Sequence, residues 1–310
     1  MVSDAANKTP IMTSRTLDSI TGAKRVVVKC ENFQRTGSFK FRGAWNCISH
    51  IPSNEKRKGI IAHSSGNFAQ AVALVAKILN IKATIVMPNN ANKLKIQATK
   101  GYDADVVFCG NNPSDRAKMA DELAKQYNYR LVHPFDDYHV IFGAGTVAFE
   151  LISSARLIDI LLVPVGGGGL ISGCSIAAKE LNPRIKVIGI EPKNADDAYQ
   201  SFRLGKRVPV ENPNTIADGL RTSVGEKTFP IIQKYVDDII TVTEEQIIDA
   251  MKFYWERMKL IVEPSGAVPL AGILSGNIEP SLIKNKRIGI IISGGNIDLT
   301  DFFSTLIKKE

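Results

Sequence analysis

The sequence predicts an α/β protein with two open, mostly parallel twisted sheets that are flanked by helices, and with a small domain inserted in a large one. The first observation behind this fold class is alternation: short apolar runs are separated by helical patterns of about ten to fifteen residues, as in parallel βαβ units. The second is length, since 310 residues are enough for two domains. The third is an apolar run at 26–31, which precedes the alternation and needs a sheet to join, so one domain must interrupt the other.

The small domain is predicted at residues 53–137, after a helix break at Pro52, Ser53 and Asn54. Its parallel strands are expected to be joined by right-handed crossovers. The predicted strands lie at 59–64, 83–87, 105–109 and 130–133, and the predicted helices lie at 67–79, 91–100 and 114–127.

The large domain is predicted at residues 1–52 and 138–310. Its first part contains an extended N-terminal segment, the strand at 26–31 and a helix that ends near residue 51. Its second part is predicted to contain strands at 158–165, 186–191, 238–242 and 287–293, and helices at 139–155, 170–181, 244–258 and 264–274.

The composition argues against several classes of protein. The formal net charge is +8, but the lysines are dispersed and no basic stripe is interleaved with aromatic residues, so we expect no nucleic-acid partner. No apolar run approaches the ~20 residues that span a bilayer, and the N-terminal residues lack the pattern of a signal peptide. We therefore expect a soluble, cytoplasmic protein with no membrane partner. The scattered cysteines have no metal-ligand spacing and are expected to be reduced core residues: Cys30, Cys47, Cys109 and Cys174.

Three strand-to-helix turns carry residues that the backbone alone does not require, and in open parallel sheets such turns bind ligands. The first turn follows the strand at 26–31, passes Thr36 and Gly37, and presents Lys40 at the start of a helical pattern. A lone lysine at such a place is most often a solvated turn residue, so its meaning depends on the other turns.

Four consecutive glycines follow the apolar strand at 158–165 and precede a helix: Gly166, Gly167, Gly168 and Gly169. Such a run lets the backbone turn its N–H groups toward a phosphate, and the helix dipole adds to the attraction. A tight structural turn needs only one or two glycines, so phosphate binding is favoured. A dinucleotide site is the alternative, because Glu191 lies about twenty residues further on, but no glycine occupies the last position of the GxGxxG pattern.

The other two turns are polar. One contains Ser64, Ser65, Gly66, Asn67 and Phe68, and taken alone its serines fit a helix cap. The other begins at Ser293 and taken alone is a plain turn. A lysine, a phosphate cradle and polar groups together suit an aldehyde cofactor that carries a phosphate, because the lysine condenses with the aldehyde and the polar groups orient the ring.

Four motifs in this order make the chain resemble the fold-type II pyridoxal-phosphate enzymes, in the serine racemase and serine/threonine dehydratase family. They are TGSFKFRGA at 36–44, SSGNF at 64–68, GGGGL at 166–170 and SGGN at 293–296. The resemblance covers almost the whole chain and implies the tryptophan synthase β-like fold. It also implies that pyridoxal 5'-phosphate is the cofactor.

The resemblance implies a role for each motif. Lys40 matches the Schiff-base lysine and Phe39 the residue beside the cofactor. The four glycines and Leu170 match the phosphate loop. Asn67 matches the residue that hydrogen-bonds the ring hydroxyl, and Ser293 matches the one that meets the pyridine nitrogen.

Substrate contacts are implied in the same way. The residues expected to meet the amino-acid substrate are Ser64, Ser65, Gly66, Asn67, Phe68, Arg116 and Gly219. Arg116 fits a solvated helix face equally well. Phe68 stands where the family usually has His, which leaves the choice of substrate open.

The segment EPKNADDAYQS at 191–201 resembles the divalent-metal site of eukaryotic-type serine racemases. That site would use the carboxylates of Glu191 and Asp197 and the carbonyl of Ala195, and such oxygen ligands suit Mg²⁺ or Ca²⁺, with Mn²⁺ as a further candidate. By spacing alone, an acidic surface loop is the simpler interpretation. Some serine racemases bind ATP at a dimer interface, and Lys259 and Asn296 lie in similar segments. The resemblance thus makes ATP a candidate effector and a homodimer the expected assembly.

The function expected from the resemblance is racemisation of serine combined with its dehydration. Lys40 would act as base on one face of the substrate and Ser65 on the other. Because a hydroxyl such as that of Ser293 cannot keep the ring nitrogen protonated, reprotonation or elimination is favoured over transamination. Two alternatives remain open: an ammonia-lyase for threonine, serine or threo-3-hydroxyaspartate without significant racemisation, and a non-catalytic amino-acid-binding relative.

Overall fold

The computed structural model describes residues 1–64, 66–91, 93–110, 113–155 and 157–307. The strands are, in chain order, β1 (Ile11–Thr13), β2 (Arg25–Cys30), β3 (Ile60–His63), β4 (Ala83–Pro88), β5 (Asp105–Cys109), β6 (Arg130–Leu131), β7 (Ile160–Pro164), β8 (Lys186–Pro192), β9 (Asp238–Val242) and β10 (Arg287–Ile292). Within the described residues they form a six-stranded sheet in the order β1-β2-β10-β7-β8-β9 and a four-stranded sheet in the order β5-β4-β3-β6.

All strand pairs except β1 with β2 are parallel. This agrees with the predicted fold class of two mostly parallel sheets. The four-stranded sheet uses residues between 60 and 131, and the six-stranded sheet uses residues before and after that segment. The domain boundaries at 53–137 stay a prediction.

The α-helices flank both sheets. They are α1 (Arg15–Thr21), α2 (Lys40–His50), α3 (Ser53–Lys56), α4 (Asn67–Ile78), α5 (Lys93–Gly101), α6 (Pro113–Tyr127), α7 (Tyr138–Ala155), α8 (Gly169–Leu181), α9 (Asp197–Leu204), α10 (Thr228–Tyr235), α11 (Glu244–Phe253), α12 (Pro264–Leu274), α13 (Pro280–Ile283) and α14 (Leu299–Ile307). Short 3₁₀ helices lie at Val2–Asp4, Glu31–Phe33, Arg35–Gly37, Lys193–Ala195 and Asp218–Leu220, and a π-helix lies at Tyr254–Met258.

Two of the predicted elements differ clearly from the observed ones. The strand predicted at 130–133 is only Arg130–Leu131, because the chain turns toward the site after it. The helix predicted at 244–258 is α-helical only to Phe253 and continues as the π-helix, which ends where Lys259 takes a left-handed conformation with φ 59°.

The core lies on both faces of each sheet. Neighbouring residues of β7 point to opposite sides, so that Leu162 joins one apolar cluster while Leu161 and Val163 join another. In the four-stranded sheet, Ile60 and Ile61 divide between two clusters in the same way. Burial on both faces explains why these strands are continuous apolar runs in the sequence.

Helix α2, which starts at Lys40, packs closely against α7. A Cβ at Gly43 would lie 2.9 Å from the Val140 carbonyl oxygen, and one at Gly143 would lie 2.5 Å from the Arg42 carbonyl oxygen. Only glycine allows the two backbones to approach so closely. The crossing therefore fixes the helix that carries Lys40.

A buried network of charges ties the same helix to β2 and α7. The guanidinium of Arg42, which is fully buried, donates to both carboxylate oxygens of Glu31 at 2.8 and 2.9 Å and to those of Glu150 at 2.6 and 2.9 Å. Lys29 donates to Glu150 at 2.7 Å. Because each buried charge faces an opposite one, the network holds α2 in one position.

Two further features bear on the expectations from composition. Among the residues that the structure describes, no helix combines the length and the apolar character needed to cross a membrane. The cysteines are free thiols and all are buried: Cys30, Cys47, Cys109 and Cys174.

Candidate active site

The turn that presents Lys40 is joined to the turn after β10. Ser38 forms an isolated β-bridge with Gly294, and the Phe39 N–H donates to the Ser293 carbonyl at 2.9 Å. Two of the motifs predicted from the sequence, at 36–44 and at 293–296, are thus brought together by backbone pairing.

The amine of Lys40 is enclosed. Its Nζ donates to the Pro134 carbonyl at 3.0 Å, and it lies 5.0 Å from the Phe39 ring centre and 5.7 Å from that of Phe68. Burial lowers the pKa of Lys40 to about 8, and the nearby carboxylate of Glu263 opposes the shift. A lysine in this state holds an uncharged amine much closer to neutral pH than an exposed lysine does.

The Pro134 carbonyl lies in a turn to which the sequence analysis assigned no role. His133 Nδ1 accepts the Asp136 N–H at 2.8 Å, and burial lowers the pKa of His133, which favours the neutral ring that can accept this bond. The Asp136 carboxylate accepts the N–H groups of Lys227 and Thr228 at the start of α10. The turn is thereby fixed at both ends.

The four glycines form the turn between β7 and α8. Gly168 has φ 89°, which favours glycine, and a Cβ at Gly167 would lie 2.5 Å from the Phe135 ring. Leu170 is buried in the first turn of α8. The first N–H groups of a helix have no partner within it, so this turn offers donors to an anion.

A buried carboxylate lies beside Asn67, at the start of α4. The Asn67 amide donates to both oxygens of Glu263 at 2.8 and 2.9 Å, and Asn296 donates to Asn67 Oδ1 at 2.9 Å. Burial raises the pKa of Glu263 to about 7. The sequence analysis assigned no role to Glu263.

A phosphorylated aldehyde cofactor fits these residues. The Ser38 hydroxyl is fully buried and has no hydrogen-bond partner within the described part of the chain, which is the state of a group that a ligand completes. Ser293 is also buried, next to it. An enclosed amine, a loop of donors and a buried hydroxyl without a partner are therefore gathered in one place.

The predicted substrate residues lie partly in this site. Ser64 accepts the Gly66 N–H at 3.2 Å, and Phe68 is buried with its ring toward Lys40. Gly219 donates to the Ser265 hydroxyl at 3.0 Å. Ser65 lies outside the described residues.

Arg116 lies at the carboxyl edge of the four-stranded sheet. His63 ends β3 there, and its pKa is lowered to about 4 by burial and by the charges of His133 and Arg116. Arg116 is half-buried, and burial lowers its own pKa. The role of Arg116 in substrate binding stays a prediction.

The predicted cation ligands form a separate buried group. Glu191, Ala195 and Asp197 are all buried. Glu191 accepts the N–H groups of Ala198 and Tyr199, and Asp197 accepts that of Val224 at 2.9 Å. Burial raises the pKa of both carboxyls, that of Asp197 to about 7.

Oxygen atoms are available for a cation at this place. Asp197 Oδ1 is buried without a hydrogen-bond partner among the described residues, as expected of an oxygen that a cation completes. No group of three or more His, Cys, Asp or Glu that could hold a metal occurs in the described part of the chain. The predicted ligands, two carboxylates and a carbonyl, are of the kind that suits a hard cation.

The fold and the site together define a pyridoxal-phosphate-dependent enzyme of fold type II. The chain belongs to the family described as pyridoxal-phosphate dependent enzyme, whose profile matches residues 2–294. This confirms the resemblance seen in the sequence.

Three relatives illustrate the range within the family. The L-threo-3-hydroxyaspartate ammonia-lyase of Saccharomyces cerevisiae is 45% identical over 310 residues, covering 100% of this chain and 94% of that protein. The serine racemase of Schizosaccharomyces pombe is 47% identical over 295 residues, covering 95% and 90%. The structure of maize serine racemase matches with a TM-score of 0.94 and 40% identity, covering 99% of this chain and 94% of that one. The chain is thus an enzyme of the racemase and ammonia-lyase group.

Proposed function

We propose that the protein is a pyridoxal-phosphate-dependent serine racemase that also releases ammonia from serine by β-elimination. The observation that carries the proposal is the enclosed amine of Lys40, held by the Pro134 carbonyl with the Phe68 ring centre 5.7 Å away. Relatives that carry the name serine racemase, and that align with nearly the whole chain, support it.

The residues that would hold the cofactor surround Lys40. The N–H groups of the loop from Gly166 to Leu170 would bind the phosphate. Asn67 would meet the ring hydroxyl, Ser293 the ring nitrogen, and Phe39 one face of the ring. When bound, pyridoxal phosphate withdraws electrons from the amino acid and makes its Cα proton acidic.

Lys40 would remove that proton on one face of the substrate. Its pKa of about 8 leaves part of the amine uncharged near neutral pH, and the Pro134 carbonyl orients it. Ser65 would deliver or remove a proton on the other face, which yields racemisation. If the substrate instead loses its β-hydroxyl group after the Cα proton has been removed, the outcome is elimination.

The substrate carboxylate would be held by the loop at Ser64, Gly66 and Asn67 and by Arg116. Gly219 is the further residue that would lie against the substrate. The apolar rings of Phe39 and Phe68 exclude water from the Lys40 amine.

Product analysis with L-serine tests the proposal. We expect D-serine and pyruvate together from the native enzyme, and pyruvate with at most a trace of D-serine from Ser65→Ala. Lys40→Ala should form neither product. Absence of D-serine from the native enzyme at every time point would overturn the racemase assignment.

A second candidate is an ammonia-lyase for threo-3-hydroxyaspartate or threonine without significant racemisation. The yeast relative with that name and the apolar Phe68 in the substrate loop favour it. The same assay on serine, threonine and 3-hydroxyaspartate stereoisomers distinguishes the two candidates.

We also propose that Glu191, Asp197 and the Ala195 carbonyl bind Mg²⁺ or Ca²⁺, with Mn²⁺ as a further candidate. The unpartnered Asp197 oxygen supports this. A cation there would offset the repulsion between the two buried carboxylates and join the end of β8, which contains Glu191, to the start of α9 at Asp197.

ATP is proposed as an effector that binds near Lys259 and Asn296. Lys259 has a left-handed backbone conformation with φ 59°, which is uncommon outside glycine. Asn296 donates to the Thr36 carbonyl at 2.6 Å. Titrating activity with ATP, in the native enzyme and in Lys259→Met, tests this role.

A homodimer is proposed as the assembly. Tyr138, Phe142 and Phe149 lie along one face of α7, and each is about half exposed. An apolar stripe of this kind supports a contact with a second copy. Phe142→Glu should reduce the molar mass measured by light scattering to that of one chain.

The cytoplasm is proposed as the location. The free, buried cysteines support a reducing compartment, because proteins of oxidising compartments usually pair theirs.

A further inference from the structure

An ion pair joins α5 to the 3₁₀ helix that contains Gly219. Lys95, on α5, lies beside the four-stranded sheet, and its Nζ is 2.5 Å from Oδ2 of Asp218, in a 3₁₀ helix next to Gly219. The same Nζ would be 3.6 Å from a Cβ at Gly66. Lys95 therefore lies between Gly66, in the predicted substrate loop, and Asp218, the neighbour of Gly219.

The charges around this pair keep Lys95 positively charged. Burial disfavours the charged form of Lys95, but the carboxylates of Asp218 and Glu263 outweigh this effect and raise its pKa, while the cation Arg221 opposes them. Lys95 thus remains a cation, and Asp218 is the carboxylate in direct contact with it.

The two members of the pair differ in exposure. The Lys95 side chain is 18% exposed and that of Asp218 is 44% exposed. Asp218 can therefore turn into water at small cost, whereas Lys95 stays where it is. A carboxylate that arrives with the substrate can replace Asp218 as the partner of Lys95.

We propose that Lys95 binds the second carboxylate of a substrate that carries one on its β carbon, as 3-hydroxyaspartate does and serine and threonine do not. The inference rests on the proposed function of the site, in which the α-carboxylate lies against Gly66 and Asn67. Lys95 is then a determinant of specificity for amino dicarboxylates. Its counter-ion Asp218 competes with them.

Steady-state kinetics of keto-acid release tests the proposal. In Lys95→Met, the KM for L-threo-3-hydroxyaspartate should rise about tenfold or more, because a charge-assisted hydrogen bond is lost, while the KM for L-serine should change less than about threefold. Lys95→Arg should keep most of the preference. Lys100→Met, an exposed lysine on the same helix, should leave both KM values unchanged.

Asp218→Asn is the second variant. It removes the competing carboxylate and should lower the KM for 3-hydroxyaspartate without a matching effect on serine. Equal changes for both substrates in Lys95→Met, or no change in either variant, would overturn the proposal. If Lys95→Met does not fold, the Asp218→Asn result decides alone.

A binding measurement separates this inference from the proposed racemisation. Succinate should raise the melting temperature of the native holoenzyme by about 2–4 °C at saturation, butyrate should raise it less, and Lys95→Met should remove the difference. This result does not depend on D-serine formation. Equal stabilisation of native enzyme and Lys95→Met by succinate would exclude Lys95 as the dicarboxylate contact.

Discussion

At the scale of single residues, Lys40 combines two properties that the proposed chemistry needs. Burial makes its amine easier to deprotonate, and the Pro134 carbonyl gives that amine a fixed direction. His133 sets the position of Pro134 through the turn that it caps. The reactivity of Lys40 thus depends on a histidine with no proposed contact with the substrate.

The first prediction follows from the lowered pKa of Lys40. Only the uncharged amine attacks an aldehyde, and this form appears above the pKa, so labelling should begin at lower pH than for an ordinary lysine. In the cofactor-free protein, reductive labelling with an aldehyde should reach half its maximal rate at about pH 8 for Lys40, measured by peptide mass spectrometry. Free Nα-acetyl-lysine amide is the control, because its unperturbed amine should label half-maximally more than one pH unit higher. Identical profiles would contradict the assigned shift.

Asp197 supplies the second prediction at this scale. If its unpartnered oxygen binds a cation, Mg²⁺ should raise the melting temperature of the native protein above its value in EDTA by several degrees, because a ligand that binds only the folded state stabilises it. Asp197→Asn should abolish this response. Asp196→Asn, which changes a half-buried acid in the same loop, should keep it. A full response to Mg²⁺ in Asp197→Asn would remove the proposed site.

At the scale of elements, the glycine loop is shaped by its neighbours as much as by its ligand. A Cβ at Gly167 would press on the Phe135 ring, and Phe135 follows the proline that holds Lys40. The loop and the lysine are therefore coupled through one turn.

The third prediction tests that coupling. Gly167→Ala should weaken cofactor retention at least about tenfold, because the new methyl group must displace Phe135 or the loop. Cofactor absorbance during dialysis measures the loss. Gly101→Ala is the control, since a Cβ there meets nothing within 4 Å, and it should retain the cofactor as the native protein does. Normal retention in Gly167→Ala would show that the turn yields without cost.

The motifs of the site were visible in the sequence because each occupies one turn of its own. Lys40, Asn67 and the glycines could be found at strand ends, where parallel sheets bind ligands. Glu263, Pro134 and His133 could not be assigned a role in this way. The roles of Glu263 and Pro134 depend on contacts with residues more than ninety positions away, such as the bond from Lys40 to Pro134, and His133 acts through Pro134.

At the scale of the whole molecule, the two-sheet architecture followed from alternation and length, but the order of strands did not. Strand β2 pairs with β10, whose residues lie about 260 positions later, and no local pattern encodes that choice. The burial of charged side chains could not be predicted from the sequence either. Arg42 and Glu31 look like surface residues in a linear sequence and are fully buried in the fold.

The last prediction concerns the network that joins β2, α2 and α7. Arg42→Met leaves the buried Glu31 carboxylate without its cation, which should cost about 3–5 kcal/mol and lower the urea midpoint of unfolding. Arg130→Met is the matched control, because the Arg130–Glu55 pair is 3.8 Å apart and largely exposed, and it should cost under about 1 kcal/mol.

The double variant Arg42→Met with Glu31→Gln distinguishes a missing partner from lost packing. Since it removes the uncompensated charge, it should regain part of the stability lost in Arg42→Met alone. High salt should weaken the Arg130–Glu55 contribution and leave that of Arg42 almost unchanged, because buried pairs are screened little. If Arg42→Met and Arg130→Met were equally mild, the helix that carries Lys40 would be held by its close crossing with α7 rather than by charge.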